Sequence, residues 1–170
     1  MKVTFVYPGV SLTGFGSYND LLTPKVGDPP YGSSYIENSY GIELLGGALR
    51  DIGIESDLID LRQEESFKSV EDKIKNSDSD FIAISILTPD FDTANRVASI
   101  SKKYGKIVVA GGIHTFVCQE DFLSSKNWDF IFVGESEFSF QSFFVEKKYL
   151  QKKNGLKGNW EKLIPKQGCI

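Results

Sequence analysis

Five short apolar runs, rich in β-branched and aromatic residues, constrain the fold of this chain more than any other feature. The segments between them carry apolar residues at helical spacing. Strands that alternate with helices form βαβ units, whose right-handed crossovers place helices on both faces of a parallel sheet. The sequence therefore predicts a doubly wound (flavodoxin-like or Rossmann-like) α/β domain with a five-stranded parallel sheet. The predicted strands are Val3–Tyr7, Asp57–Leu61, Phe81–Leu87, Lys106–Ala110 and Asp129–Val133.

The predicted helices follow from apolar stripes of differing length. Gly53 lies where the first helix would need a C-cap, and Asp90 or Asp92 is expected to cap the third. A fourth helix is expected to be one short turn at residues 119–124. The stripes of the other four are Ile42, Leu44, Leu45, Ala48, Leu49 and Ile52; Phe67, Val70 and Ile74; Ala94, Val97, Ala98 and Ile100; and, from near Ser136, Phe138, Phe140, Phe143, Phe144 and Val145.

Composition indicates one globular domain, with 41% hydrophobic and 25% charged residues in a chain of 170. The net charge of −4 gives no reason to expect a nucleic acid partner. Residues 146–170 hold seven lysines and two glutamates, so we expect an α/β domain over 1–145 and a lysine-rich helix end or linker over 146–170.

The cysteines and the N-terminus restrict the expected metal sites and the expected location of the protein. Cys118 and Cys169 lie far apart without a Cys-x-x-Cys pair, which predicts no disulfide framework and no iron–sulfur or zinc site from this chain alone. The chain begins directly with a predicted strand, without a signal peptide, and no apolar run approaches the ~20 residues of a membrane span. We therefore expect a cytoplasmic protein without membrane contact.

Four loops are expected to meet at the carboxyl edge of the sheet, where open α/β sheets bind ligands. The segment 8–40 is long and rich in Gly, Pro, Ser and Tyr, which predicts a loop that covers a ligand or contacts a partner. The other three are 85–90, 111–115 and 134–137. They offer the hydroxyls of Ser85 and Thr88, a stiff Pro89, and glycines that leave bare backbone. Together they indicate a slot for a large flat group, with no catalytic residue and no metal ligand.

These loops resemble those of the cobalamin-binding domain, in the form that precedes the barrel of cobalamin-dependent radical S-adenosylmethionine enzymes. The resemblance runs from Met1 to about Phe144. It rests on Ser85-Ile86-Leu87 for the family's Ser-x-Leu, Gly111-Gly112-Ile113-His114 for Gly-Gly-Pro-His, and Gly134-Glu135-Ser136-Glu137 for Gly-Glu-Gly-Glu. The segments from Tyr40 to Leu45 and from Leu58 to Leu61 also look typical. Ile113 replaces a proline and Ser136 replaces a glycine.

The resemblance implies that the nucleotide tail of cobalamin threads between the sheet and its helices. Ser85 would hydrogen-bond the benzimidazole base beside Leu87, Gly111 and Gly112 would make room for it, and Gly134 and Glu135 would border the ribose and phosphate. The cofactor contacts that we expect are Tyr7, Pro8, Gly9, Ser85, Leu87, Thr88, Pro89, Gly111, Gly112, Ile113, His114, Gly134, Glu135 and Ser136.

Two departures from the wider family shape the expected function. The Asp-x-His-x-x-Gly motif is absent after the first strand, so we expect base-off cobalamin without a histidine ligand from that loop. The Cys-x3-Cys-x2-Cys cluster motif is also absent, so the iron–sulfur cluster, S-adenosylmethionine and the barrel would belong to a partner domain in cis or in trans. We expect no catalysis from this chain alone. The chain would be part of a longer, methyltransferase-like enzyme or a free-standing module.

Other interpretations remain open at this stage. His114 either contacts the corrin or cobalt, or is a histidine satisfied by backbone at a loop–helix junction. A flavodoxin-like flavin-binding protein is suggested by Ser11–Gly16, which lacks a following helix. A cofactor-free protein-interaction domain is the remaining alternative. The chain lacks the acidic residues that a response-regulator receiver requires. It also lacks the Gly-x-Gly-x-x-Gly motif that a dinucleotide-binding protein requires.

Overall fold

A computed structural model describes residues 1–8, 39–64 and 66–154, with side chains as far as residue 146. Five parallel strands form one sheet in the order β2-β1-β3-β4-β5, which confirms the predicted doubly wound, flavodoxin-like fold. β1 and β3 are neighbours from which the chain leaves in opposite directions, so the topological switch point lies between them. The strands are β1 Lys2–Tyr7, β2 Glu55–Asp60, β3 Phe81–Ser85, β4 Ile107–Gly111 and β5 Phe130–Ile131.

The helices confirm the predicted alternation and add one short element. The α-helices are α1 Tyr40–Asp51, α2 Phe67–Asn76, α3 Phe91–Lys103, α4 Ile113–Val117, α5 Gln119–Leu123 and α6 Glu137–Asn154. Two 3-10 turns, Leu61–Gln63 and Thr88–Asp90, follow β2 and β3. The sequence predicted a loop where α4 lies, because five residues are too few to show a helical period. The predicted boundary at residue 145 falls within α6 and stays a prediction.

Two apolar cores lie on the two faces of the sheet. Successive strand side chains point to opposite faces, so Phe81 and Ala83 of β3 pack on one side and Ile82 and Ile84 on the other. The first face packs against α1 and α6, and the second against α2 and α3. This arrangement makes β3 almost continuously apolar, as expected of a parallel strand covered on both sides.

Aromatic rings hold α6 against the first face. Phe143 and Phe144 meet Phe81 edge-on at centroid distances of 6.1 and 4.9 Å. Each such buried ring stabilises the fold by roughly 2 kcal/mol. The sequence also placed Phe138 and Val145 in this stripe, but they are 87% and 47% exposed. They lie on the outer side of the helix, so this part of the prediction was wrong.

Both predicted helix caps lie at the expected positions, but only one of them makes the expected hydrogen bond. Gly53 follows α1 with φ of 69°, and its N–H donates to the Arg50 carbonyl, which confirms the predicted cap. Asp90 occupies the N-cap position of α3, but its side chain makes no capping hydrogen bond. The predicted covering loop from Gly9 onward and the lysine-rich end from residue 155 lie outside the described residues. No described helix has the length and apolar character needed to span a membrane.

Candidate functional site

A cleft opens on the first face of the sheet, between the strands and the two helices that cover them. Its cavity volume is about 50 Å³, and it is partly open to solvent. Its interior is apolar and its mouth carries hydroxyls and bare backbone. The interior is lined by Phe5, Ile42, Leu45, Ala83, Val109, Phe132 and Phe140, and the mouth by Ser85, Gly111, Gly112 and Ser136. Ile84 and Ala110 also border the cleft, although their side chains point to the other face of the sheet. Four predicted site residues therefore lie together.

Ser85 and Gly111 are direct neighbours at the ends of β3 and β4. The two-residue period places Ser85 on the same face as Ala83, and Gly111 on the same face as Val109. Within the described residues, no hydrogen bond engages the Ser85 hydroxyl. A Cβ added to Gly111 would have no atom within 4 Å. The mouth thus presents an available hydroxyl beside an open gap.

The backbones after β3 and β4 are clasped together. The Ile86 N–H donates to the Gly111 carbonyl at 2.8 Å, and the His114 N–H donates to the Ile86 carbonyl at 3.1 Å. Gly112 sits between these bonds with φ of 94°, in the left-handed region that side chains disfavour. This close approach fixes the spacing of the two loops at the cleft mouth.

Thr115 joins the β4 loop to the end of β5, and the sequence analysis missed this role. Its side chain is fully buried, and the hydroxyl lies 2.8 Å from the Gly112 carbonyl and 2.6 Å from the Phe132 carbonyl. A threonine three residues after a glycine, at the start of a short helix, was the available signal. Thr115 therefore holds the loop after β4 against the end of β5, although it does not itself line the cleft.

The third loop contributes Ser136 to the cleft. This serine precedes α6, and its carbonyl accepts from the Phe140 N–H at 2.7 Å. Its hydroxyl donates to the Gly134 carbonyl at 2.8 Å. Gly134 needs its glycine because φ is 79°, and Glu135 is exposed at the rim.

The other predicted contacts lie at the same edge of the sheet but outside the cleft. Leu87, Thr88, Pro89 and Ile113 are exposed on the loops after β3 and β4. Tyr7 ends β1, with the Arg62 guanidinium 4.4 Å from its ring centroid, and Pro8 is buried. Gly9 lies outside the described residues. The structure therefore divides the predicted set into cleft residues and rim residues.

His114 is enclosed on the opposite side of the sheet from the cleft. It is 3% exposed, and its Nδ1 lies 3.3 Å from the Thr88 Oγ1 while its Nε2 lies 3.1 Å from the Asp121 Oδ2. Its ring packs against Phe91 and Phe122, which belong to the second core. The partners of its ring are thus side chains, whereas one of the two interpretations from the sequence gave it backbone partners.

A buried carboxyl lies near the same edge. Asp90 is 2% exposed, and burial raises its pKa to about 6, although the Arg62 guanidinium acts in the opposite direction. Its Oδ1 has no hydrogen-bond partner among the described residues. Arg62 itself pairs with Asp60 at 2.7 Å, and this carboxylate raises the pKa of the guanidinium.

Comparison with protein families identifies the kind of domain that carries this cleft. The family model described as the B12 binding domain matches residues 33–143, more than half of the chain. The chain belongs to the B12-binding domain family. The match covers α1, the strands β2 to β5 and the start of α6, and so includes every cleft residue except Phe5 of β1. No curated protein matches the chain.

The cleft of this B12-binding domain fits the group that the family binds. Cobalamin, the family's ligand, carries a flat bicyclic benzimidazole base on its nucleotide tail. An apolar slot between sheet and helices suits such a ring, the gap at Gly111 admits it, and the Ser85 hydroxyl can donate to its ring nitrogen. The residues present therefore match the chemistry of the base.

Proposed function

We propose that this B12-binding domain holds cobalamin in the base-off form, with the nucleotide tail in the cleft between the sheet and helices α1 and α6. The observation that carries the proposal is the pairing of the available Ser85 hydroxyl with the open space at Gly111, at the mouth of an apolar cleft. A base placed there is removed from cobalt, because it is buried under the helices.

We further propose that no histidine of this chain ligates the cobalt. The sequence contains one histidine, His114. Its ring lies on the face opposite the cleft, with both nitrogens within hydrogen-bond distance of side chains. Bringing this imidazole to a cofactor would break both contacts and expose a ring that is now packed between two phenylalanines.

Exposed apolar side chains follow β3, β4 and β5, whose carboxyl ends form one edge of the sheet. Several large apolar side chains on the loops and helices after β3, β4 and β5 are exposed, among them Phe138 at 87% and Phe116 at 61%. Further examples are Leu87, Ile113, Val117 and Leu123. We propose that this edge faces a radical S-adenosylmethionine domain in cis or in trans, the partner that the resemblance implies.

Within such a pair, the residues of this chain would bind and orient rather than react. Cobalamin, when bound, would supply a cobalt centre that can carry an alkyl group. Ser85 would fix the base by one hydrogen bond, and the apolar walls would exclude water from the tail. The hydrogen bonds that join Ile86 to Gly111 and His114 would keep the loops at the cleft mouth at a fixed spacing.

The test is a visible spectrum of the desalted protein after incubation with hydroxocobalamin, followed by electron paramagnetic resonance of the reduced cob(II)alamin form. We expect retained stoichiometric colour and no superhyperfine splitting from an axial nitrogen. Splitting that survives in His114→Gln would mean that the benzimidazole stays on cobalt and would overturn the base-off proposal. Splitting that is lost in His114→Gln would identify a histidine ligand.

Two further ligands separate the alternatives. Cobinamide, which lacks the nucleotide tail, should bind far more weakly than cobalamin if the tail occupies the cleft. Equal affinities would overturn the placement of the tail. Retention of flavin mononucleotide instead of cobalamin would favour the flavodoxin-like alternative, and retention of neither would favour a domain that only contacts proteins.

A further inference from the structure

Three side chains with metal-binding groups converge where α4 meets α5, on the face of the sheet opposite the cleft. They are His114, Cys118 and Asp121, and their ligand atoms all lie within 4.8 Å of one another. We propose that this corner is a zinc site, separate from cobalamin binding. The donor set of imidazole, thiolate and carboxylate is one that zinc accepts.

The local chain path brings the three side chains together. Cys118 lies between α4 and α5, and its N–H donates to the His114 carbonyl at 2.9 Å. The Asp121 N–H then donates to the Cys118 carbonyl at 3.3 Å. The spacing of four and three residues across this helical corner keeps all three side chains on one side.

The distances are close to those of a tetrahedral ion. Ligand atoms bound to one zinc ion at usual bond lengths are about 3.4 Å apart. His114 Nε2 and Asp121 Oδ2 are already 3.1 Å apart. The Cys118 sulfur lies within 4.8 Å of both other ligand atoms, so a movement of about 1 Å would bring it to this spacing. An ion would thus replace the histidine–aspartate contact.

The surroundings orient the imidazole as in established zinc sites. Metal-bound histidines commonly engage their second nitrogen in a hydrogen bond that fixes the ring. Here Nδ1 lies 3.3 Å from the Thr88 hydroxyl, and the ring is held between Phe91 and Phe122. Asp121 is 46% exposed, so an ion can enter from solvent and keep water as its fourth ligand.

The spacing of the cysteines alone does not predict this site. Counting cysteines predicted no zinc site, because a second cysteine is too distant, but His114 and Asp121 supply the missing donors. Binding would form Zn–N, Zn–S and Zn–O bonds and release the thiol proton of Cys118 to solvent. The ion would tie α4 to α5 and stabilise the segment behind the cleft mouth.

The test uses the full chain without cobalamin, titrated with Co²⁺ alone and then with Zn²⁺. We expect one Co²⁺ per chain with thiolate-to-cobalt charge-transfer absorption, and displacement of Co²⁺ by Zn²⁺. Cys118→Ser should abolish that absorption, and Asp121→Asn should weaken affinity by roughly 10-fold or more. The matched controls Cys169→Ser and Glu120→Gln should leave both unchanged.

A saturable rise in the melting temperature with Zn²⁺, lost in Cys118→Ser, is the second expected result. No saturable Co²⁺ binding, or absorption that persists in Cys118→Ser, would overturn the proposal. Because cobalamin is absent throughout, these outcomes are independent of the cleft. A variant that fills the cleft, Gly111→Val, should bind the metal normally even where cobalamin binding is lost.

Discussion

A Cβ placed on Gly112 would lie 2.6 Å from both the backbone nitrogen and the backbone oxygen of Ile86. Neither atom can move away easily, since both belong to the hydrogen bonds that join the loops after β3 and β4. With φ of 94° at the same residue, strain and overlap act together. We expect Gly112→Ala to lower the free energy of unfolding by about 2 kcal/mol or more, measured by urea denaturation. Gly111→Ala, whose Cβ meets open space, should change it little.

Gly111→Val should separate binding from folding. The added side chain would enter the cleft without touching protein atoms near its Cβ, so stability should be retained. Cobalamin affinity should fall by roughly 10- to 100-fold because the base is displaced. Equilibrium dialysis measures the affinity, with Gly47→Val as control, since Gly47 also has an open Cβ position but does not line the cleft. Equal affinity in both variants would mean that the base does not occupy this cleft.

Ser85→Ala should weaken cobalamin binding by roughly 5-fold, which is about the 1 kcal/mol of one hydrogen bond. Folding should be unaffected, because the hydroxyl is not bonded within the described residues. Ser101→Ala is the matched control, since that buried hydroxyl donates to the Val97 carbonyl inside α3. Isothermal titration calorimetry reports both affinities. A loss shared by the two variants would assign the effect to general destabilisation.

Asp90 predicts a pH-dependent stability. Burial raises its folded pKa to about 6 from an ordinary value of 3.8, so the folded state binds the proton more tightly than the unfolded state. Its destabilising contribution is absent at about pH 3, grows as pH rises toward about 6, and is complete above that. Asp90→Asn should therefore stabilise the protein by roughly 2–3 kcal/mol at pH 7.5 and little at pH 3. Urea midpoints at both pH values check this, and a pH-independent difference would contradict it.

Much of this fold could be predicted because local and global patterns agree. The β3 run is apolar at every buried position, and Val70 and Ile74 of α2 both became fully buried as their spacing predicted. β5 was harder, since only Phe130 and Ile131 pair with β4 although five residues were predicted. Its extent depends on where its partner strand ends, which periodicity does not encode.

The residues at the mouth of the cleft could be predicted from the sequence, whereas those that line its interior could not. Ser85, Gly111 and Gly112 stand at strand ends, where chain order alone places them at one edge. Ile42 of α1 and Phe132 line the interior because of how a helix and a strand end cross the sheet, which depends on tertiary packing. Thr115 bonds to two carbonyls that only the folded chain brings together.

The bonds through Ile86, Gly112 and Thr115 have a consequence for selectivity. They join the chain after β3, after β4 and at the end of β5, so these strand ends cannot separate without breaking hydrogen bonds. A binding site with fixed strand ends adjusts little to its ligand, so it selects ligands by their shape. Corrinoids with phenolic or purine lower bases should therefore compete poorly with cobalamin for binding to this domain. Equal competition would show that the cleft opening changes shape to admit other bases.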